Sequence, residues 1–501
     1  MRPIQNIVIA GGGTSGWMAA AILANQLRRD LYRIHLVESG ELGTIGIGES
    51  TVPPFTGLLR RLGIDEQEFV QVTQATYKLG IQFSGWRHTQ EDYFHPFGVL
   101  GHSIGGQDFY QCWLKARESG ANWPLQSFSP SSVMAQKGRF FYPEQARNTP
   151  VGGANYALHV DAARVGSYLR NYAEQRGVQR TEGHVTQVCQ EDNGFIEAVV
   201  LESGQKITGD FFIDCTGFKG LLIGETLKSE FVDWSDYLPC DRAIAVKTPT
   251  DHPIPPFTSA KAGKAGWVWR IPLQTVTGNG YVYASRFCSD AEARATLLAN
   301  INGEPLSEPR LIPFKTGHRR DIWKHNCLSL GLASGFVEPL ESTSIHLIAR
   351  GMEFFLRHFP DAHCHPALVR EYNRRMTADY EEVRDFIMLH YCATERTDSP
   401  FWRWCQQMTL PDSLRERIEL FQAHGGIREG VDDLFRASSW QSVFEGMGIR
   451  PQTYSPRVDN LDACDIQAAL IRARRAIAGM VTNLPTHDEF LQREMAKAQT
   501  R

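Results

Sequence analysis

The residues able to do chemistry fall in three places. The first is Gly11, Gly13 and Gly16, a G-x-G-x-x-G run that also holds Thr14 and Ser15. An apolar stretch ending at Ala10 precedes it and an Ala- and Leu-rich stretch follows, so the run reads as strand, tight turn and helix. Gly11 lets the chain turn sharply, Gly13 lets backbone approach a pyrophosphate, and Gly16 lets the helix pack on the strand. The pyrophosphate would rest on the helix N-terminus, where free N–H groups and the helix dipole favour negative charge. Glu38 closes a second apolar stretch about twenty residues past the last glycine, where a ribose-binding carboxylate belongs. The second place is Glu341, just ahead of Thr343 and Ser344, whose backbone N–H groups at a predicted helix start suit an anion. A Glu in that position is by default a capping acid. The third is Lys78, which by its pattern alone is an ordinary solvated charge on a strand.

Regular elements must hold these groups in place. Residues 41–54 carry three glycines and two prolines among small and apolar residues, which predicts a loop pressed against a flat ring. Residues 58–62 and 65–73 read as helical, and 75–86 alternate as one strand carrying Lys78. Residues 93–150, rich in Gly, Ser, Pro and aromatics, read as an insertion of loops and short helices that covers a pocket. Asp161 caps a predicted helix, and β-like segments follow at 185–188 and 196–201 with a turn at 202–205. A buried strand ends at Asp214, the carboxyl edge at which open α/β sheets bind ligands. Trp267 and Trp269 share one face of a strand, a pattern that usually marks a core ladder, and 280–285 is the predicted partner. A strand at 327–336 then runs into the helix start at Thr343, and helical periodicity dominates beyond Phe354.

Composition sets the bounds. A chain of 501 residues holds more than one core. Its 42% hydrophobic and 22% charged content is that of a globular protein. A net charge of −4 offers no basic footprint for nucleic acid. No apolar run is long enough to span a bilayer, and the first strand begins too early to leave room for a signal peptide. Ten cysteines without a C-x-x-C pair fit reduced thiols in a cytoplasm. His363-Cys364-His365 lacks a second ligand cluster and reads as a polar loop, so no metal is expected.

The chain resembles the flavin-dependent halogenases typified by the tryptophan halogenases, nearly end to end. Four stretches carry the resemblance: Gly11 to Trp17; Lys78; Trp267-x-Trp269-x-Ile271-Pro272, which matches a specific W-x-W-x-I-P signature; and Phe336 to Thr343. It implies an α/β fold, the FAD-binding Rossmann-like flavoprotein monooxygenase type, with a mainly helical C-terminal region. The expected blocks are residues 1–92, the first part of the FAD-binding unit; 93–150, the insertion; 151–355, the rest of that unit plus a substrate-side sheet; and 356–501, mainly helical. It also implies FAD contacts at Gly11, Gly13, Thr14, Ser15, Gly16, Glu38, Ile47, Ser50, Val185, Asp214 and Leu332, and a halide at Thr343 and Ser344.

The implied reaction uses FADH2 from a separate flavin reductase, because no second dinucleotide motif is present for a nicotinamide. Oxygen and halide give hypohalous acid, which Lys78 holds by hydrogen bond or as a haloamine, while Glu341 takes the proton of the ring. Chloride and bromide both remain open, and a homodimer is a permitted assembly. The tryptophan-specific members have Gly-Ile-Tyr after Glu-Ser-Thr, where this chain has Ser344-Ile345-His346. Their aromatic-rich C-terminal clamp is not evident, and Trp440 to Gly446 stands nearby. Both departures point from free tryptophan towards an indole or another electron-rich aromatic small molecule. Two rival readings share the flavin fold: an aromatic monooxygenase, which does not call for Lys78 and Glu341 together, and a non-catalytic flavin-binding regulator.

Overall fold

A computed structural model describes residues 3–40 and 48–499. The chain groups into two compact units, each drawn from three segments. The first comprises residues 1–74, 160–241 and 313–383; the second comprises 75–159, 242–312 and 384–501.

The first unit is built on a six-stranded sheet. Its strands run Trp323–Lys324, Cys327–Ser329, Phe211–Asp214, Asn6–Ala10, Arg33–Glu38 and Gln179–Glu182 across the sheet. All pairings but that of Trp323–Lys324 are parallel, with Ala10 level with both Asp214 and Val37. A parallel sheet is covered on both faces, which is why its central strands are apolar throughout and not alternating. On one side lies the helix Thr14–Gln26, ten of whose residues are buried. On the other lies a three-stranded sheet, Val185–Gln190, Ile196–Leu201 and Lys206–Thr208, whose Ile196, Val199 and Leu201 pack with Val8, Val37 and Phe212. The helix Ala162–Gln175 begins where expected, its first turn held by the Asp161 carboxylate accepting from the N–H groups of Ala163 and Arg164.

The second unit is built on a larger, mostly antiparallel sheet. Arg242–Pro249, Val276–Tyr283, Gly266–Pro272, Thr258–Ala262, Gly80–Ser84 and Asp92–Pro96 lie side by side in it. Trp267 and Trp269 pair in register with Val282 and Gly280 of the neighbouring strand. Trp267 is fully buried, its ring near that of Trp86, which in turn meets Tyr391 and Trp402. The two tryptophans are thus part of a core ladder.

Two local readings change. The alternating stretch is not one strand: Thr76–Lys78 pairs with Ala157–Val160, and Gly80–Ser84 joins the large sheet. The chain changes partners at Leu79, whose N–H donates to the Pro256 carbonyl while its own carbonyl accepts from Phe97. The strand expected at 327–336 stops at Ser329, and a tight 3-10 turn, Gly331–Ala333, precedes the short strand Gly335–Phe336. Beyond it the chain is helical, including Pro366–Cys392, Asp412–His424 and Ala463–Thr482.

Gly280 is the tightest point of the ladder, because a Cβ there would fall 2.1 Å from the Trp269 ring. Gly280→Ala should destabilise the protein by about 1–3 kcal/mol through overpacking, read as a lower urea midpoint at unchanged slope.

Candidate active site

The glycine loop is shaped by what it must not touch. Gly11 has φ +106°, and a Cβ on it would lie 2.2 Å from the Cys215 carbonyl oxygen. Its N–H donates to Val37 and the Cys215 N–H donates to Ala10, so the loop is stitched to both neighbouring strands. A Cβ on Gly16 would sit 1.8 Å from the Gly11 oxygen, whereas one on Gly13 would meet nothing within 4 Å. Two glycines therefore serve close packing, and the third faces open space at the helix N-terminus. Gly13 is the N-cap and supplies no side-chain cap. The hydroxyl of Thr14 is buried and has no hydrogen-bond partner. Open space, uncapped N–H groups and an orphaned hydroxyl together suit a phosphate group.

The other expected flavin contacts that are described lie in the first unit. Glu38 lies over Gly12 and accepts from the Trp17 indole at 3.2 Å and from the Arg180 guanidinium. Ser15 faces the Gly331 turn that carries the half-buried Leu332. Val185 packs on the cluster containing Val8, Ala10 and Val37. Ser50 is buried at the end of a two-residue strand, and Ile47 lies outside the described residues. Asp214 has a different task from touching a ligand. Its oxygens accept from the Thr216 N–H and hydroxyl and from the N–H groups of Leu222 and Ile223, at 2.6–3.0 Å. Burial pushes this carboxyl above its ordinary range, and the four donors pull it back. Asp214 is a positioning residue for the turn at 215–223.

The Gly331 turn is fixed as firmly. The Leu330 N–H donates to the Asp214 carbonyl, and the Ser334 hydroxyl bonds both the Gly331 carbonyl and the Tyr380 hydroxyl. The chain then makes a 3-10 turn, Pro339–Glu341, and Ser342 at φ +62° reverses it into the helix Ser344–Arg357. Glu341 is 1% exposed. Thr343, the N-cap, makes no side-chain cap bond, and the first turn holds no acid. An anion is the natural partner for such a helix start.

Lys78 lies in the second unit and is 0% exposed, against its default reading as a solvated charge. Its ammonium sits 5.0 Å from the centre of the Phe97 ring. Behind it, Thr76 donates to the Pro272 carbonyl and bonds His159, whose other nitrogen bonds Thr258. Burial, with the Lys78 charge adding, holds His159 well below its ordinary value, so it stays neutral. Beyond Phe97 come aromatic residues of which sequence reasoning did not single out Phe386 and Phe435. His95 meets Phe97 and Phe386, and Phe386 stacks on Phe435 at 3.7 Å and meets the edge of Trp440. Phe386 and Phe435 lie nearly 300 residues and more from His95, and no helical or strand period links them, which hid them.

The tryptophan halogenase family model matches residues 6–463. The chain belongs to that family. It is 43% identical to Xcc4156, a flavin-dependent halogenase from Xanthomonas campestris, with a TM-score of 0.94 over 98% of this chain and 99% of that one. BrvH, a flavin-dependent halogenase from Brevundimonas sp. BAL3, is 39% identical with the same TM-score of 0.94 and the same 98% and 99% coverage. Tryptophan 7-halogenase RebH of Lentzea aerocolonigenes is 33% identical across 98% of this chain and 99% of its own length. This member is therefore a flavin-dependent halogenase, an oxidoreductase with the FAD-binding Rossmann-like fold, and it uses FAD as FADH2 supplied by a separate flavin reductase. The glycine loop fits that cofactor: the open space at Gly13 and the unpartnered Thr14 hydroxyl leave room and a polar group for a pyrophosphate at the helix start.

Among the described residues no group of three or more His, Cys, Asp or Glu side chains could hold a metal, and no helix is long and apolar enough to cross a membrane. Cys364 is buried in a turn with its thiol on the Asp361 carbonyl, and burial pushes it up to about 12.

Gly11→Ala puts a methyl group against the Cys215 carbonyl at a φ that alanine resists. The variant should bind FAD at least about tenfold more weakly in a fluorescence-quenching titration, a change near 1.4 kcal/mol.

Proposed function

We propose that this enzyme uses FADH2, oxygen and chloride or bromide to form hypohalous acid and halogenates an electron-rich, indole-type aromatic through Lys78 and Glu341. The observation that carries this reading is the burial of Lys78. A strand lysine is ordinarily in water, whereas this one is 0% exposed with its ammonium against Phe97. Taking an amine out of water is costly, so a fully buried lysine set against an aromatic ring supports a chemical role. When bound, the reduced flavin supplies with oxygen the oxidising power that turns halide into hypohalous acid.

Each residue then has a task that balances. Thr343 and Ser344 hold the halide at the helix start. Lys78 receives the hypohalous acid, either on an N–H hydrogen bond or as a haloamine formed with loss of water. The ring attacks the halogen, whose bond to oxygen breaks with the oxygen leaving as water on a proton from the ammonium, or whose bond to nitrogen breaks with return of the lysine amine. The Glu341 carboxylate then takes the proton that the cationic ring releases, restoring aromaticity. Proton removal of this kind contributes typically 10²–10⁴ in rate. Phe97, His95, Phe386, Phe435 and Trp440 supply apolar and aromatic faces suited to a flat ring. The ten cysteines, all free thiols, suit work in a reducing cytoplasm.

Mass spectrometry of an indole reaction supplied with FADH2, oxygen and either halide should show a halogen isotope pattern. Lys78→Ala should remove that pattern, and a product gaining only oxygen would move the assignment to a monooxygenase. Glu341→Gln should lower kcat by about 10²–10⁴ while hypohalous acid still forms, measured by trapping with a dye that hypohalous acid bleaches.

A further inference from the structure

The helix start at Thr343 holds two buried polar atoms that no hydrogen bond accounts for. Thr343 is 0% exposed and its hydroxyl has no partner. Three residues on, the Nδ1 of His346 is sealed from solvent and likewise has none. In an α-helix, positions three apart lie on one face. Orphaned buried polar atoms are rare, and each needs a ligand or a water to explain it. Here both flank a helix start whose N-cap makes no side-chain cap bond and whose first turn carries no acid.

We infer that Thr343 and His346 form the side-chain half of the halide site and set its preference between chloride and bromide. The inference rests on the proposed halide position and adds to the backbone contacts there. Burial, with the charge of Arg350 one turn on, holds His346 down to about 4. The ring is therefore neutral at working pH and offers one N–H as a donor. Arg350 is itself engaged with Asp379 and Glu353, which leaves the imidazole and the hydroxyl as the polar groups beside the N-cap on this stripe. Chloride is smaller and more strongly hydrated than bromide, so it loses more when a donor is removed. A site with two side-chain donors added to backbone N–H groups offsets chloride dehydration better than backbone alone.

The test is chloride-35 NMR line broadening on the purified protein without turnover, paired with KM for chloride and bromide in the halogenation assay. His346→Phe should weaken chloride binding about tenfold and bromide binding clearly less, the loss expected for a hydrogen bond to an ion. His346→Asn, which keeps a donor, should recover most of the chloride affinity. Thr343→Val should repeat the chloride defect and Thr343→Ser should not, with melting temperature confirming that each variant folds. Unchanged broadening and an unchanged chloride-to-bromide ratio in both His346→Phe and Thr343→Val would overturn this inference and leave the proposed reaction standing. No halide-dependent broadening in the wild-type protein would overturn the inference together with the placement of halide at this helix.

Discussion

The first unit depends on one close approach, that of the Gly11 backbone to the Cys215 carbonyl. The strands Asn6–Ala10 and Phe211–Asp214 run side by side and end level, so the turns that follow them meet. Only a residue without a Cβ fits between, since the nearest atom would be 2.2 Å away. The Gly11 oxygen is in turn 1.8 Å from where a Cβ on Gly16 would be, so the helix Thr14–Gln26 seats directly on the turn. This is how a sheet of apolar strands comes to present uncapped N–H groups at its carboxyl edge. The glycines do not attract the cofactor; they clear the space in which a helix start can face it.

A second constraint holds the facing turns in place. Asp214 is a fully buried carboxylate, a group that is costly unless every lone pair is used. Its four donors come from residues 216–223. Its backbone carbonyl takes the Leu330 N–H, so one residue anchors the turn after its own strand and the start of the next. Ser334 and Tyr380 complete the Gly331 turn from the opposite side. What looks in sequence like a ligand-binding acid at a strand end is better understood as the clamp for two turns that border the glycine loop.

Much of this was legible in sequence because it follows from local rules. The glycine loop, the Asp161 cap and the helix after Thr343 each depend on a few adjacent residues whose types allow little else, and the partner of 266–272, expected at 280–285, is the strand Val276–Tyr283 that overlaps it. The misses came where tertiary partners decide. The alternation across 75–86 is real, yet nothing local says that its first part pairs with Ala157–Val160 and its second with Thr258–Ala262. The grouping of His95 with Phe386 and Phe435 joins residues nearly 300 positions and more apart, and no spacing rule reaches that far. The resemblance to a family, and not periodicity, is what brought Lys78 forward.

Lys78 is buried next to the partner change at Leu79. A strand that stays in one sheet sends alternate side chains to two faces, one of which usually reaches water. Lys78 is the last residue of a three-residue strand, and its neighbour Leu79 spends both backbone groups on loops, bonding Pro256 and Phe97. The bond to Phe97 fixes that ring's backbone beside the lysine, and the ring faces the ammonium 5.0 Å away. On the other side, Thr76 ties the strand to Pro272 and His159, whose imidazole is neutral and so adds no competing charge. Thr76, Tyr77 and Leu79 are buried as fully as Lys78, so both faces of this short strand are covered and the amine is held out of water along with its neighbours.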